Sequence, residues 1–379
     1  MALLKNYMKS LNKIIFLFIG VFLISKGASL TAAKDKFSSS DQGFKNVPIK
    51  IGFFYGGRVN VIYRAFVDGY FDREGIKVEL LTRLEDKDGW FPMPQSYETT
   101  KNFLDKTNPL VFGRATGTEI IENMEKGVFV GGTVGESSFI YACVKGSPIQ
   151  AVALLGHDSA ENPGKCLVVR KGVTIKTPQD FKGKRIASRR AGPGDAVYVK
   201  EFVSSIGLDP EKDVTIIEQV PSGQLNEYLE TGKADAALYH MYAVLPVERA
   251  GIGYIYRPMN WMNPELVQGV LVFRKDFIKK HPDLVRKFVL GYMKRLKFEK
   301  KLIVSDEEKF LHTNDLGAKI KYHYKNLSMP VYDYPPLVRL DLLTEMQRLL
   351  FKYKEIDKQV DLRGFINNDF VRKAYEELK

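Results

Sequence analysis

The stretch SRRAGPGD, Ser188 to Asp195, places two arginines and two glycines where a strand-like run, KRIAS, gives way to a helix-like one. Such a turn exposes backbone N–H groups and the positive end of a helix, which is chemistry suited to an anion. A nucleotide fingerprint does not complete itself here: Gly192 and Gly194 form G-x-G, but Val197 stands where the third glycine would, and no Lys-Ser/Thr follows. Glu218, at the end of VTIIE, is the one residue placed as a ribose-binding acid would be. Asp195 opposes the anion reading, because an aspartate at a helix N-cap occupies the free N–H groups itself.

Four further stretches carry comparable residues. Tyr55, Gly56, Gly57 and Arg58 fill a turn after the first strand-like run; Arg114, Thr116 and Thr118 surround the start of a helix-like run; Glu136 and Ser137 begin another; Tyr239 and Tyr242 follow ADAAL, with Trp261 farther on. Arg114, Arg189 and Arg190 can pair with an anionic group, or be solvated or tied to a neighbouring acid. Glu136 and Asp195 can receive an ammonium, or cap the helices they begin. Tyr55, Tyr239, Tyr242 and Trp261 can stack on a flat or apolar ligand, or serve as packing, while Gly56 and Gly57 let backbone approach closely. These charges do not agree on one ligand sign. The five histidines, at 157, 240, 281, 312 and 323, show no HExxH or other short ligand spacing, so neither a metal nor a cofactor is expected. Cys143 and Cys166 can bond or remain small buried residues.

The elements that must position these turns alternate. IKIGFFY, the helical VNVIYRAFVDGYFDRE stopped by Gly75, and IKVELL make a βαβ unit, hence a parallel sheet. The alternation continues through PLVFG, a helix from Thr118 to Lys126, VFVGGTV, a helix from Glu136 to Lys145 and IQAVALL. Thr177, Pro178, Asp180 and Gly183 punctuate a short helix before KRIAS. A second series then runs from the helix Asp195 to Ile206 through VTIIE, the helix Gly223 to Glu230, ADAALY, the helix Tyr242 to Arg249 and IGYIY. Two long apolar strands, GKCLVVRK and QGVLVFRK, flank this series and read as the crossings between two lobes. Ligands of open α/β sheets collect at the carboxyl ends of strands, which places all five turns on one cleft.

With 379 residues, 45% of them hydrophobic, the chain can bury a full core in two or three domains. Its first residues stand apart: Lys5, Lys9 and Lys13 precede the apolar run IIFLFIGVFLI, and Ala28 and Thr31-Ala32-Ala33 follow. This reads as a secretory signal peptide over residues 1–33, cleaved near Ala33. Removing its four lysines lowers the formal charge from +12 to +8. The densest basic stretch, RKFVLGYMKRLKFEKK from Arg286, has an apolar helical stripe and reads as the solvated face of a core-packed helix, so no nucleic-acid partner is expected.

From about Ile49 onward the chain resembles the periplasmic substrate-binding proteins of the nitrate, sulfonate, taurine and thiamine-precursor ABC importers, a family that shares its fold with thiamine-pyrimidine synthases. The resemblance rests on the order and spacing of AFVDGYFDREGIKVEL, GTEIIENMEKG, GTVGESSFIYACVKGSPIQAVALLG, KTPQDFKGKRIAS, GLDPEKDVTIIE, YLETGKADAALYHMYA, VLVFRKDFIKKHPDLVRKFVLGYM and VDLRGFINNDFVRKAYEEL. It implies an α/β, type II periplasmic-binding-protein fold of two lobes joined by two crossing strands with a ligand cleft between them. Lobe 1 would comprise residues 34–165 and 270–379, lobe 2 residues 166–269. The implied function is delivery of a small organic ligand, sulfonate-, pyrimidine- or aromatic-like, to an ABC permease and ATPase, without chemistry on it, by a periplasmic monomer. An exported sensor or carrier for another partner is the alternative; a cytosolic, pyridoxal-phosphate-dependent synthase would bear a cysteine-rich motif, which two isolated cysteines do not make. Two departures from the family pattern are expected to matter: Asp195 where family members often place Ser or Thr, and a longer aromatic link from Thr82 to Asn108 containing DGWFPMPQSY.

Overall fold

The structure is a computed structural model that describes residues 48–54, 60–83, 88–95, 115–159, 164–189, 194–221, 224–240, 244, 247–248, 250–258, 266–311 and 331–379. The leader, the polar stretch after it, and Tyr55, Gly56, Gly57, Arg58, Arg114, Arg190, Gly192, Tyr242 and Trp261 lie outside the described residues.

The first series builds one sheet. Its elements are β1 (Ile49–Gly52), α1 (Asn60–Val67), α2 (Tyr70–Arg73), β2 (Val78–Thr82), β3 (Phe91–Pro92), α3 (Gly117–Glu125), β4 (Gly131–Val134), α4 (Glu136–Val144) and β5 (Ile149–His157). The single helix expected from VNVIYRAFVDGYFDRE is two, because Gly69 adopts a left-handed conformation, φ 70°, that a right-handed helix cannot contain. Part of the aromatic link is visible as an edge: β3 pairs antiparallel with β2, and Trp90 stands edge-on to Phe129 at 4.7 Å. The α3 helix reaches the sheet closely because β4 begins with two glycines; a Cβ on Gly132 would meet Ile120 of α3 and a Cβ on Gly131 would meet Phe273.

The second series builds another sheet from β6 (Lys165–Arg170), β7 (Arg185–Arg189), α5 (Gly194–Ser205), β8 (Thr215–Val220), α6 (Leu225–Glu230), β9 (Ala236–His240) and β10 (Gly253–Pro258). The short helix at Pro178–Phe181 forms as its punctuation suggests, with the Asp180 carboxylate accepting from the Thr177 N–H at 2.9 Å. The chain then returns with β11 (Val267–Arg274), α7 (Lys275–Lys280), α8 (Pro282–Leu311), α9 (Leu340–Lys352) and α10 (Asp369–Glu377).

Strand order is β3-β2-β1-β4-β11-β5 in the first sheet and β10-β6-β9-β7-β8 in the second. The two long apolar strands are each paired within one sheet over their length: β6 with β9 and β10, β11 with β4 and β5. The chain therefore changes sheet just ahead of them, between His157 and Lys165 and between Pro258 and Val267. Their apolar runs answer to burial on both faces of a central strand.

Three apolar clusters hold the layers. One, with Phe53, Phe71, Phe288, Tyr292 and Val371, packs α1, α2, α8 and α10 on the first sheet. Another, with Leu225, Leu229, Val244 and Val247, covers one face of the second. The third draws on both sheets and on α4, α5 and α9, through Phe139, Ile140, Val197, Phe202, Leu343 and Leu350. The α5 helix is accordingly apolar nearly all round, with Ala196, Val197, Tyr198, Val199, Phe202 and Val203 buried, as a helix enclosed on several sides must be.

Four basic residues of α8 are paired, in part with the helix's own Asp283 and in part with neighbouring elements. Arg286 meets Asp283 and Glu377, Lys287 meets Asp283, Lys294 meets Glu74 and Arg295 meets Asp68. Among the described residues no helix is long and apolar enough to cross a membrane.

Candidate functional site

Parallel pairing brings the chemistry to one edge of each sheet. β4 ends at Val134 and feeds α4, so Gly135, Glu136, Ser137 and Ser138 stand at the carboxyl edge of the first sheet. β5 runs in the same sense as β4, since both are antiparallel to β11, and it delivers His157 and Asp158 to that edge. In the second sheet β7 and β9 are parallel, and their carboxyl ends carry Ser188, Arg189 and His240. β6 is antiparallel to β9 with Lys165 opposite His240, so the first residue of β6 sits at this edge as well.

Gly135 to Ser138, Lys165, Arg189, Gly194 and Asp195 line a narrow cleft between the two edges. It encloses about 20 Å³, which is room for about one water molecule. The first turns of α4 and α5 touch across it, since a Cβ on Gly194 would collide with the Ser137 hydroxyl. A larger surface hollow, about 380 Å³, lies between Val338 and Arg372, away from these edges. Its arginines are each held by a local acid, Arg363 by Asp361 and Arg372 by Asp369.

The charged groups of the cleft are buried and mostly satisfied. Arg189 Nε donates to Asp195 Oδ2 at 2.5 Å, and Asp195 is 4% exposed. Asp195 is the second residue of α5, and its carboxylate faces Arg189; this corrects the expectation of an N-cap that consumes the helix N–H groups. Tyr198 of α5 donates its hydroxyl to Glu136 Oε1 of α4 at 2.9 Å, an interlobe bond between buried partners. Burial first, and the Glu136 carboxylate second, hold the Tyr198 hydroxyl well above the usual tyrosine range. Asp158 accepts from Gln268 Nε2 and from the Gly164 backbone, and its pKa is raised because burial outweighs the attraction of Lys165. Gly164 admits this arrangement only because it lacks a Cβ, which would fall on Asp158 and Gln268.

Lys165 is not satisfied in this way. It is 3% exposed, its Nζ finds no hydrogen-bond acceptor among the described residues, and it stands 4.2 Å from the centroid of the Tyr198 ring. The hydroxyls of Thr82, Thr133 and Ser188 are likewise buried without a partner among the described residues. All four lie at carboxyl edges of the two sheets, where a bound group could complete them, since buried polar atoms are otherwise almost always bonded.

The remaining expected residues divide. Thr116 is the N-cap of α3, in a capping box with Glu119, and Thr118 lies in the first turn of the same helix. Tyr239 is buried and donates to Asn226 Oδ1 at 2.8 Å, so its hydroxyl serves the second sheet's own packing. Cys143 and Cys166 are separate buried thiols, each pushed up in pKa by burial, so neither offers a thiolate. Sequence reasoning passed over Lys165, Tyr198, Asp158 and Gln268. The signal for Lys165 was present, a lysine opening an otherwise apolar, doubly buried strand.

Residues 113–298 match the family model described as NMT1/THI5 like. A Bacillus subtilis (strain 168) protein assigned to aliphatic-sulfonate binding is 25% identical over 249 residues, 64% of this chain and 71% of that one. The taurine-binding periplasmic protein of Escherichia coli (strain K12) is 26% identical over 236 residues, 59% of this chain and 65% of its own length. The fold is shared with the ligand-binding component of an ABC-type import system from Staphylococcus aureus, at a TM-score of 0.60 and 16% identity over 86% of this chain and 98% of that one.

Proposed function

We propose that this chain, NMT1/THI5-like over residues 113–298, is an extracytoplasmic solute-binding protein that presents a small organic acid to an ABC permease and ATPase. The observation that carries the reading is Lys165, a buried ammonium group aimed into a cleft between two sheet edges without an acceptor among the described residues. The first turns of α4 and α5 add N–H groups and positive helix ends beside it. With Asp195 committed to Arg189, its objection to an acidic ligand group falls away, while Glu136, which accepts from Tyr198, stays in the lining and suits an ammonium such as taurine carries. Sulfonate and taurine binding in the relatives supports the same class.

The lobes of this reading, expected as residues 34–165 with 270–379 and 166–269, part ahead of β6 and β11, so that Lys165 goes with the second sheet and Val267 to Gly269 with the first. The protein works as a monomer, is exported to the periplasm after cleavage near Ala33, and returns its ligand unaltered. A thermal-shift panel of taurine, aliphatic sulfonates, nitrate, aromatic acids and aminopyrimidines tests it, with mass analysis of what co-purifies. A binding partner stabilises the fold by about 2.7 kcal/mol at a hundredfold excess over its Kd. A sulfonate is expected to give the largest shift and to be recovered intact. An aminopyrimidine giving the largest shift would overturn the ligand class, and recovery of a converted product would overturn the role.

A further inference from the structure

The α9 helix is fastened at both ends to the first sheet and lies along a helix of the second. Ahead of it, the Leu154 N–H donates to the Pro336 carbonyl at 2.9 Å; after it, the Asn367 N–H donates to the Ala151 carbonyl at 2.8 Å. Both bonds are to β5. The partner of α9 across the interface is α5, which packs on β7 and β8.

Contact between the two helices starts at the cleft. Met346 Cε stands 3.6 Å from the position a Cβ on Gly194 would take, and the same Gly194 abuts Ser137 of α4. Two turns farther on, Tyr353 donates its hydroxyl to Glu201 Oε2 at 2.5 Å and lies 3.0 Å from Ser204 Oγ, while Lys352 Nζ donates to Glu201 at 2.6 Å. Lys200 reaches Glu355 at 3.5 Å just beyond the helix. The offset of 152 residues that relates Tyr353 to Glu201 also relates Met346 to Gly194, so the helices run parallel over these two turns. Leu342, Leu343, Met346, Leu349 and Leu350 of α9 share one apolar cluster with Val197 and Phe202 of α5.

Opening the cleft has to part Ser137 from Gly194, and Met346 meets α5 at that same glycine. We propose that α9 is a strap that biases the ligand-free protein toward a closed cleft, with the Tyr353–Glu201 bond as its latch. This rests on the ligand-cleft reading above. The closed cleft has room for about one water molecule, so a ligand must first part the two sheet edges, and the strap sets how often they are found apart. No relative's ligand is needed for the device to operate.

The test uses the full mature chain without ligand. Dyes are placed on Glu122→Cys, in α3, and Lys212→Cys, beyond α5, both exposed positions on opposite sheets. The two native thiols are buried and stay unlabelled. Single-molecule energy transfer is then compared among the parent, Tyr353→Phe and Glu201→Met, the first lacking the donor and the second the acceptor, with circular dichroism to establish that each is folded. The long-distance population is expected to grow roughly three- to tenfold in either variant, the loss of one or two hydrogen bonds. Unchanged distance distributions in both folded variants would overturn the strap and leave ligand binding standing; failure of every compound in the panel would overturn the binding reading and leave the distances to decide the strap.

Discussion

Lys165 and Arg189 face one cleft and have opposite relations to stability. Arg189 holds a buried carboxylate, so Arg189→Ala leaves Asp195 unpaired at 4% exposure. That variant is expected to lose about 3 kcal/mol of ligand-free stability. Lys165 neutralises no carboxylate within salt-bridge distance among the described residues, and Lys165→Met fills the same volume with apolar atoms. Its ligand-free melting temperature is expected to hold or rise, while affinity for a sulfonate falls about tenfold or more. Thermal unfolding and calorimetric titration of both variants check the contrast. Equal melting temperatures with affinity lost only in Arg189→Ala would exchange the two roles.

At the scale of elements, one carboxylate joins three strands of the second sheet. Asp235, just ahead of β9, accepts from the Arg185 backbone N–H at 3.0 Å, from Arg185 Nε at 3.1 Å and Nη2 at 3.0 Å, and from Arg170 Nη2 at 3.3 Å. Burial pushes its pKa up, but the Arg185 and Arg170 bonds outweigh burial and hold it below the ordinary aspartate value. A depressed folded-state pKa means stability that is fully present above the unfolded value, about 3.9, and lost as pH falls through the folded one. Asp235→Asn is therefore expected to destabilise by about 2 kcal/mol at neutral pH. Denaturant unfolding at pH 7, 4 and 3 should show that gap shrinking below about pH 4. A gap independent of pH would assign the effect to packing.

For the whole molecule, the relevant question is which chain reaches the cleft's working compartment. Lys5, Lys9 and Lys13 ahead of an apolar run, and small residues after it, are the features a signal peptidase pathway reads. Expressed from Met1, the mature protein is expected to begin between Ala28 and Lys34. Intact-mass measurement of the exported fraction decides this. Retention of Met1 on a membrane-bound product would replace export with anchoring.

The βαβ alternation, the helix expected from Thr118, which starts one residue earlier, and the helix start at Glu136 were legible in the chain, because each is a local matter of periodicity or capping. Gly69 broke one expected helix in two, since apolar spacing continues through a residue whose left-handed backbone does not. Of the five turns expected on one cleft, those at Thr133 to Ser138 and Ser188 to Asp195 do line it, being strand ends in an open α/β sheet. The partners were not legible. Asp195 was read as a cap because its nearest donors in sequence are the N–H groups of its own helix; the fold turned it toward Arg189. Tyr198 bonds Glu136 over 62 positions, and Lys165 lies at the edge beside His240 only because β6 runs antiparallel to β9. Periodicity assigns a residue to a face, and the pairing of distant strands decides which charges share that face and which of them is left without a partner.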